Sequence, residues 1–353
     1  MRVVYNSFNG RYADNPRALH RGLLRSGHRH EHLWLSDPRH AGTFPVDVRT
    51  VPIATPQAVA ALESADLVIS NTHTDLDQWH KQPGTRYLQT WHGTPLKAIH
   101  RSAVLQPPEE AMAALDLEIT RWDHLISPSP AATTLLRTAF AYDGSVLETG
   151  YPRNDVLLGP DSQQHRDRVR HRLALPEHAT VVLYAPTWRD DEVEGEVPLG
   201  LDAVALAAAL GPGTVLLVRQ HYFLGHRRPY PDGPSLRDVS AYPDIADLYL
   251  AADALVTDYS SALFDFAVTG KPILVYAYDL EHYRDRLRGF TFDLVEDSPG
   301  PVVREQAVLT ELLHDLPATA RAWAAPYGRF RDRYCRLDDG HATTRVLEQL
   351  GLD

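Results

Sequence analysis

Short apolar runs recur along the chain, each followed by a polar turn marked by Gly or Pro and then by a stretch of helical spacing. Val3-Val4-Tyr5, His32-Leu33-Trp34-Leu35, Asp66-Leu67-Val68-Ile69-Ser70, Arg86-Tyr87-Leu88 and His124-Leu125-Ile126-Ser127 read as strands. Helical stretches begin near Pro16 and recur near 56–64, 109–120 and 129–140. Strand then helix, repeated, predicts a parallel sheet covered on both faces. The first half closes over Gly144 to Asp155, and the pattern restarts near Asp161. Thr180–Tyr184, Thr214–Val218, Ala254–Thr257 and Pro272–Tyr276 are the next buried strands, with a helix near 201–210. The prediction is an α/β protein of two doubly wound domains, 1–155 and 156–335, with ligand groups at the carboxyl ends of their strands. The last helix, over 336–353, could return to the first domain; periodicity alone does not assign its partner.

Composition narrows the function classes. A chain of 353 residues is long for one compact domain, and 44% apolar with 23% charged residues is ordinary for a globular protein. A net charge of -11 argues against a nucleic-acid partner, which needs a basic face. The one cysteine, Cys335, forms no intrachain disulfide and no Cys/His zinc framework, which fits a reducing, cytoplasmic setting. The opening MRVVYNSFNG reads as a strand and a Gly turn rather than a signal peptide. No apolar run approaches the roughly 18–20 residues of a membrane span.

The chemistry gathers at strand ends. Gln89 to Lys97, QTWHGTPLK, cannot continue a helix, because Gly93 and Pro95 force a loop; it sets His92 at the end of a strand, where a proton-transfer group belongs. The bland alternative is a packed Trp91 with an incidental His. In the other half, Asp258-Tyr259-Ser260-Ser261 ends a strand ahead of an apolar helix from Ala262 to Val268. Ser260 or Ser261 is the expected N-cap, and a capped helix start is an anion site. Arg219 and His221 follow another strand and suit a diphosphate. Thr187, Trp188 and Arg189 follow a third, and Gly150 to Asp155, with Arg153, marks the domain junction. Asp75-Leu76-Asp77 has a metal-binding form that is common by chance, and His28, His30 and His32 alternate as on a solvent-facing strand edge. The acidic stretch from Arg189 to Gly200 reads as a mobile loop. Neither a P-loop nor a G-x-S-x-G elbow occurs.

Taken in order, SFNGRYADNPRAL, QTWHGTPLK, TGYPRND, YAPTWR, RQHYF, VTDYSSALFDFAVTGKPILVYAYDLEHY, RGFTFD and DGHATTRV closely resemble the CDP-glycerol glycerophosphotransferase family. These enzymes prime and polymerise teichoic acids and related capsule polymers. The resemblance spans nearly the whole chain. It implies the GT-B fold, two Rossmann-like domains with the donor in the cleft, and transfer of an alditol phosphate from CDP-glycerol or CDP-ribitol to an acceptor hydroxyl with release of CMP. By matching motif it implies His92 as general base and His221 as the group steadying the pyrophosphate. Arg219, Ser260, Ser261, Thr187 and Arg189 fall on donor-phosphate positions, and Asn9, Gly10, Asn15, Gly93 and Thr94 on the acceptor side, with Asp258 and Arg153 in support. No cofactor and no metal are expected. The implied partners are the CDP-alditol donor and a polymer or lipid-linked saccharide acceptor, at a site that allows peripheral contact with the inner leaflet of the cell membrane. Two alternatives share the pattern: an inverting glycosyltransferase using a CMP- or UDP-sugar, and an inactive scaffold subunit of a wall-polymer complex.

Overall fold

A computed structural model describes residues 1–73, 79–187, 189, 200–220, 230 and 233–353. The chain divides into two compact units, one of residues 1–94, 107–155 and 336–353 and the other of 95–106 and 156–335. The segment 95–106, which lies within the first predicted domain, therefore belongs with the second unit. Its attachment is direct: the backbone N–H groups of Ala98 and Val104 donate to the carbonyls of Gly289 and Arg288, each at 3.0 Å.

Among the described residues the first unit carries seven parallel strands. These are β1 (Arg2–Asn6), β2 (Glu31–Ser36), β3 (Thr50–Pro52), β4 (Leu67–Ser70), β5 (Arg86–Gln89), β6 (His124–Ser127) and β7 (Ser145–Glu148), in the order β3-β2-β1-β4-β5-β6-β7. The second unit carries β8 (Thr180–Ala185), β9 (Thr214–Val218), β10 (Leu236–Asp238), β11 (Ala254–Thr257), β12 (Ile273–Tyr276) and β13 (Val302–Val303), in the order β10-β9-β8-β11-β12-β13. Both sheets reverse direction of growth at their first strand, between β1 and β4 and between β8 and β11. Such a reversal opens a crevice at the carboxyl ends of the strands, because the connections leave it to opposite sides. The strands that periodicity did not single out, β3, β7, β10 and β13, lie toward or at the sheet edges. They are two to four residues long, too short to declare a period.

The central strands are buried on both faces, which is why they read as unbroken apolar runs. In the first unit Val3, Tyr5, Trp34, Ile69 and Leu88 pack with Leu19 and Leu23 of the helix Asp14–Arg25. Val346, Leu347, Leu350 and Leu352 from the C-terminal segment complete that core. The helix Ala342–Gln349 is held there from its first turn: the Asp155 carboxylate accepts from the backbone N–H groups of Ala342 and Thr343 at 2.9 and 2.8 Å. Gly22 lets the two helices approach closely, since a Cβ there would meet Thr343 Cγ2 at 2.5 Å. In the second unit β8, β9, β11 and β12 pack against the helices Ala203–Leu210 and Gln306–His314.

One expectation is corrected here and another narrowed. Only His32 of the alternating histidines lies in β2, and it does not face solvent on an edge: its Nδ1 pairs with the Tyr5 hydroxyl at 2.8 Å. The helix after β11 runs only over Ala262–Ala267, and Ser261 does not cap it with its side chain. Ser260 does instead, its Oγ accepting from the Ala262 N–H at 3.2 Å. The Asp75–Asp77 motif and the loop after Arg189, apart from Gly200, lie outside the described residues.

Candidate active site

The first unit presents the ends of β1, β4 and β5 side by side. After β5 the chain turns sharply: the Trp91 N–H donates to Gln89 Oε1 at 2.9 Å, and Trp91 takes a left-handed φ of 47°. This throws His92 back over β4, where its Nδ1 meets the backbone carbonyl of Asn71 at 2.7 Å. A carbonyl only accepts, so Nδ1 carries the proton and Nε2 is the basic nitrogen. Trp91 stacks on the imidazole at 4.3 Å between ring centres and Phe8 lies on it at 5.5 Å, so the ring is gripped as well as hydrogen-bonded. A histidine with a fixed tautomer, a held plane and partial exposure is equipped for general-base work.

The acceptor-side residues expected from the sequence separate into two kinds. Asn9 and Gly10 lie in the turn after β1 beside His92. Gly10 has a φ of 111° and sits so close to Asp37 that a Cβ would lie 2.2 Å from its nitrogen, which anchors that turn. Asn15 braces the site: it is fully buried, its Nδ2 donates to the Trp91 carbonyl at 3.3 Å, and its Oδ1 accepts from the Arg153 N–H at 3.0 Å. Arg153 in turn pairs with Asp14 at 3.3 Å and stacks over Tyr151. Thr94 is buried, with its hydroxyl 3.3 Å from that of Tyr151, and Gly93 is buried beside it. These contacts hold the histidine loop to the helix Asp14–Arg25.

In the second unit the ends of β8 and β11 are locked together by Asp258. Its Oδ1 accepts from the N–H groups of Thr187 and Tyr259 at 2.8 and 2.6 Å, and its Oδ2 pairs with Arg189 at 2.9 Å. Arg189 is caged by its neighbours. It is only 3% exposed and donates to Asp258, to both oxygens of Asp279 at 2.7 and 3.0 Å, and to the Thr187 carbonyl. Three tyrosine rings, Tyr259, Tyr278 and Tyr283, surround it within 4.8–5.3 Å. Burial works against its charge, but Asp258 and Asp279 outweigh it and hold the guanidinium's pKa well above the ordinary value. With all three nitrogens engaged, Arg189 ties the ends of β8 and β11 to Asp279 beyond β12.

Thr187 is the opposite case. It is 9% exposed, and among the described residues its hydroxyl has no hydrogen-bond partner. A buried hydroxyl without a partner costs stability unless a ligand completes it. Ser260 and Ser261 stand half-buried at the end of β11 beside this lock. Arg219, after β9, is partly buried with Nη1 donating to the Tyr242 carbonyl at 2.6 Å. His221 lies outside the described residues. Lys271, within the longest motif, is occupied elsewhere: its ammonium caps the helix Ile245–Ala251 through the carbonyls of Tyr249, Leu250 and Ala252 at 2.6–3.0 Å. Burial lowers its pKa to about 8.

Residues that sequence reasoning passed over now stand in these sites. Asn71 holds His92 through its carbonyl, Asn6 ends the neighbouring strand β1, and Asp279 completes the arginine cage. Asn71 directly follows β4, and Asp279 lies three residues beyond β12. That position was the available signal for all of them. Among the described residues there is no cluster of three metal-ligating side chains, and no helix is long and apolar enough to cross a membrane.

Comparison with known proteins identifies the family. The model of the family described as CDP-glycerol:poly(glycerophosphate) glycerophosphotransferase matches residues 1–351. A teichoic acid glycerol-phosphate transferase of Staphylococcus aureus (strain NCTC 8325 / PS 47) is 38% identical, over 99% of this chain and 92% of that protein. A teichoic acid poly(glycerol phosphate) polymerase of Bacillus subtilis (strain 168) is 33% identical over 98% of this chain; the chain spans about half of that longer protein, 48%. Among solved structures, a histidine-to-asparagine variant of the wall teichoic acid polymerase TagF, soaked with CDPG, superimposes with a TM-score of 0.90 at 33% identity. That match covers 99% of this chain and 88% of the other.

Proposed function

Because the chain belongs to the CDP-glycerol:poly(glycerophosphate) glycerophosphotransferase family, we propose that it transfers glycerol phosphate from CDP-glycerol to an acceptor hydroxyl in teichoic acid synthesis. The observation that carries the proposal is the tautomer of His92: the Asn71 carbonyl holds Nδ1–H, which leaves Nε2 to take a proton. An alcohol is far too weak an acid to attack phosphorus unaided, so it needs such a base. The acceptor oxygen bonds to the β-phosphorus of the donor as its proton passes to His92 Nε2. The bond from that phosphorus to the bridging oxygen breaks, and CMP departs with the oxygen.

Charge gathers on the departing CMP phosphate. In this reading Thr187 Oγ1, Ser260, Ser261, Arg219 and His221 receive the donor diphosphate, while Arg189 and Asp258 hold their frame. The reading carries with it the GT-B arrangement, in which the donor lies between the two units, and peripheral contact with the inner leaflet where the acceptor is lipid-linked. Fixed hydrogen-bond donors take the place of a metal, so turnover persists in EDTA. Incubation with labelled CDP-glycerol, CDP-ribitol, CMP-sugars and UDP-sugars tests the proposal. CMP release from CDP-glycerol with extension of a glycerol phosphate acceptor is expected; turnover of a nucleotide sugar alone would overturn it, and tight CDP-glycerol binding without turnover would favour a scaffold.

A further inference from the structure

Two carboxamides at the strand-order reversal of the first sheet are incomplete. Asn6 ends β1 and Asn71 follows β4, the two strands are hydrogen-bonded neighbours, and both side chains are fully buried. Asn71 is oriented by its surroundings: its Oδ1 accepts from the Phe8 N–H at 2.9 Å, which fixes Nδ2 as the other, donating atom. Asn6 Nδ2 reaches Asn9 Oδ1 at 3.4 Å. That leaves Asn6 Oδ1, an acceptor, and Asn71 Nδ2, a donor, each buried and without a hydrogen-bond partner among the described residues. The backbone of the same Asn71 holds His92.

One acceptor and one donor at a shared strand end call for a group that is both. A phosphate oxygen cannot donate to Asn6 Oδ1, and an ammonium cannot accept from Asn71 Nδ2; a hydroxyl does both. The surrounding polar groups are neutral and already satisfied. Ser70 donates to the Thr72 carbonyl, Gln89 bonds to Thr72 and Trp91, and Thr90 donates to the Ser70 carbonyl. Over the pair lies the turn Phe8-Asn9-Gly10, with three successive left-handed residues at φ 46°, 52° and 111°. A Phe in that region is strained, so the turn over the pair is held there by its contacts rather than by its own backbone preference.

We propose that Asn6 and Asn71 form the specificity subsite for the acceptor, binding the hydroxyl next to the one that attacks, so that the enzyme reads a vicinal diol at the end of an alditol phosphate chain. This rests on the transferase reading above and adds to it the residues that read the acceptor terminus. The pair holds the neighbouring hydroxyl while His92 takes the proton from its partner.

The test uses full-length enzyme, CDP-glycerol, and two acceptors: a glycerol phosphate oligomer and its analogue lacking the terminal chain's neighbouring hydroxyl. In the wild type the deoxy acceptor is expected to lose about tenfold in kcat/KM, the usual value of one hydrogen bond to a substrate hydroxyl. Asn71→Asp keeps the acceptor for the Phe8 N–H and removes the donor. It should raise KM for the natural acceptor about tenfold, leave KM for CDP-glycerol unchanged, and abolish the deoxy penalty. Asn6→Ser should do the same, and serves if the first variant does not fold. A deoxy penalty that is absent in the wild type, or that persists undiminished in either folded variant, overturns the proposal. Should the wild type release no CMP from CDP-glycerol, the transferase reading fails separately. The pair is then judged by saturation-transfer NMR with glycerol, whose binding must vanish in the variants and whose persistence overturns it.

Discussion

The two strand-order reversals share a topology and differ in what they bury. At the end of β1 and β4 the polar groups are neutral: Asn6, Asn71, Ser70, Gln89 and Thr90, with one imidazole held in a known tautomer. At the end of β8 and β11 the groups are charged: Asp258, Asp279 and Arg189 in a ring of tyrosines. A neutral, donor-and-acceptor floor suits an alcohol that must be recognised without being repelled or ionised early. A braced ionic frame suits a diphosphate, because it fixes backbone and hydroxyl donors that could not otherwise keep their positions against so charged a ligand. In both, loop geometry is set by a side chain accepting backbone N–H groups from the neighbouring turn. Asn71 does this for Phe8, and Asp258 does it for Thr187 and Tyr259.

The sharpest way to separate the two regions is to remove the base from the first. His92→Ala should lower CMP release by about 10²–10⁴-fold while calorimetric binding of CDP-glycerol holds within about twofold. Equal loss of binding would place His92 with the donor and dissolve the contrast. Next comes the ionic frame. Arg189→Met strands two buried carboxylates and should cost about 3–5 kcal/mol in denaturant unfolding, with hydrogen exchange deprotected in β8, β11 and β12 but not in β1 and β4. Deprotection spread evenly over both sheets would mean that the cage is not local to its unit.

A third difference is in acid sensitivity. His20 lies on the buried face of the helix Asp14–Arg25, and burial first, then His32 and Arg21, bring its pKa down to about 4, with Asp47 opposing. His32 and His30 are lowered in the same sense by burial. Their neutral forms fit the fold, so their contribution is complete above pH 6.5. As the pH falls from there toward 4, the unfolded chain takes up protons that the folded one refuses, and stability declines by at most about 3 kcal/mol for His20. His20→Asn should flatten the pH dependence of the melting temperature across that window; an unchanged slope would assign the loss to other groups. The smallest effect is expected at Thr187. Thr187→Val removes an unpartnered hydroxyl, so the free protein should be unchanged or more stable by up to about 1 kcal/mol, while CDP-glycerol binding weakens about tenfold. A loss of stability with binding intact would show that the hydroxyl serves the fold.

Much of this protein is written locally. Parallel strands buried on both faces are unbroken apolar runs, so β1, β4, β8, β9, β11 and β12 could be read directly, and the residues just beyond them marked where chemistry would gather. His92 was legible because Gly93 and Pro95 leave its segment no regular structure to join. What the chain could not declare is which polar groups spend their hydrogen bonds inside the protein and which keep one to offer. Arg189 reads as a bare cation until Asp258 and Asp279 are seen around it, and the bonds that tie Asn15 to Trp91 and Arg153 exist only in the fold. Asn6 and Asn71 drew no notice, because a lone Asn at a strand end is common and only the pairing of β1 with β4 brings two of them together. The placement of 336–353 was likewise decided by Asp155, far away in sequence, whose carboxylate meets the start of that helix. Hydrophobic period is a property of neighbours along the chain and survives without a fold. Hydrogen-bond satisfaction depends on neighbours in space, and only the folded chain supplies them.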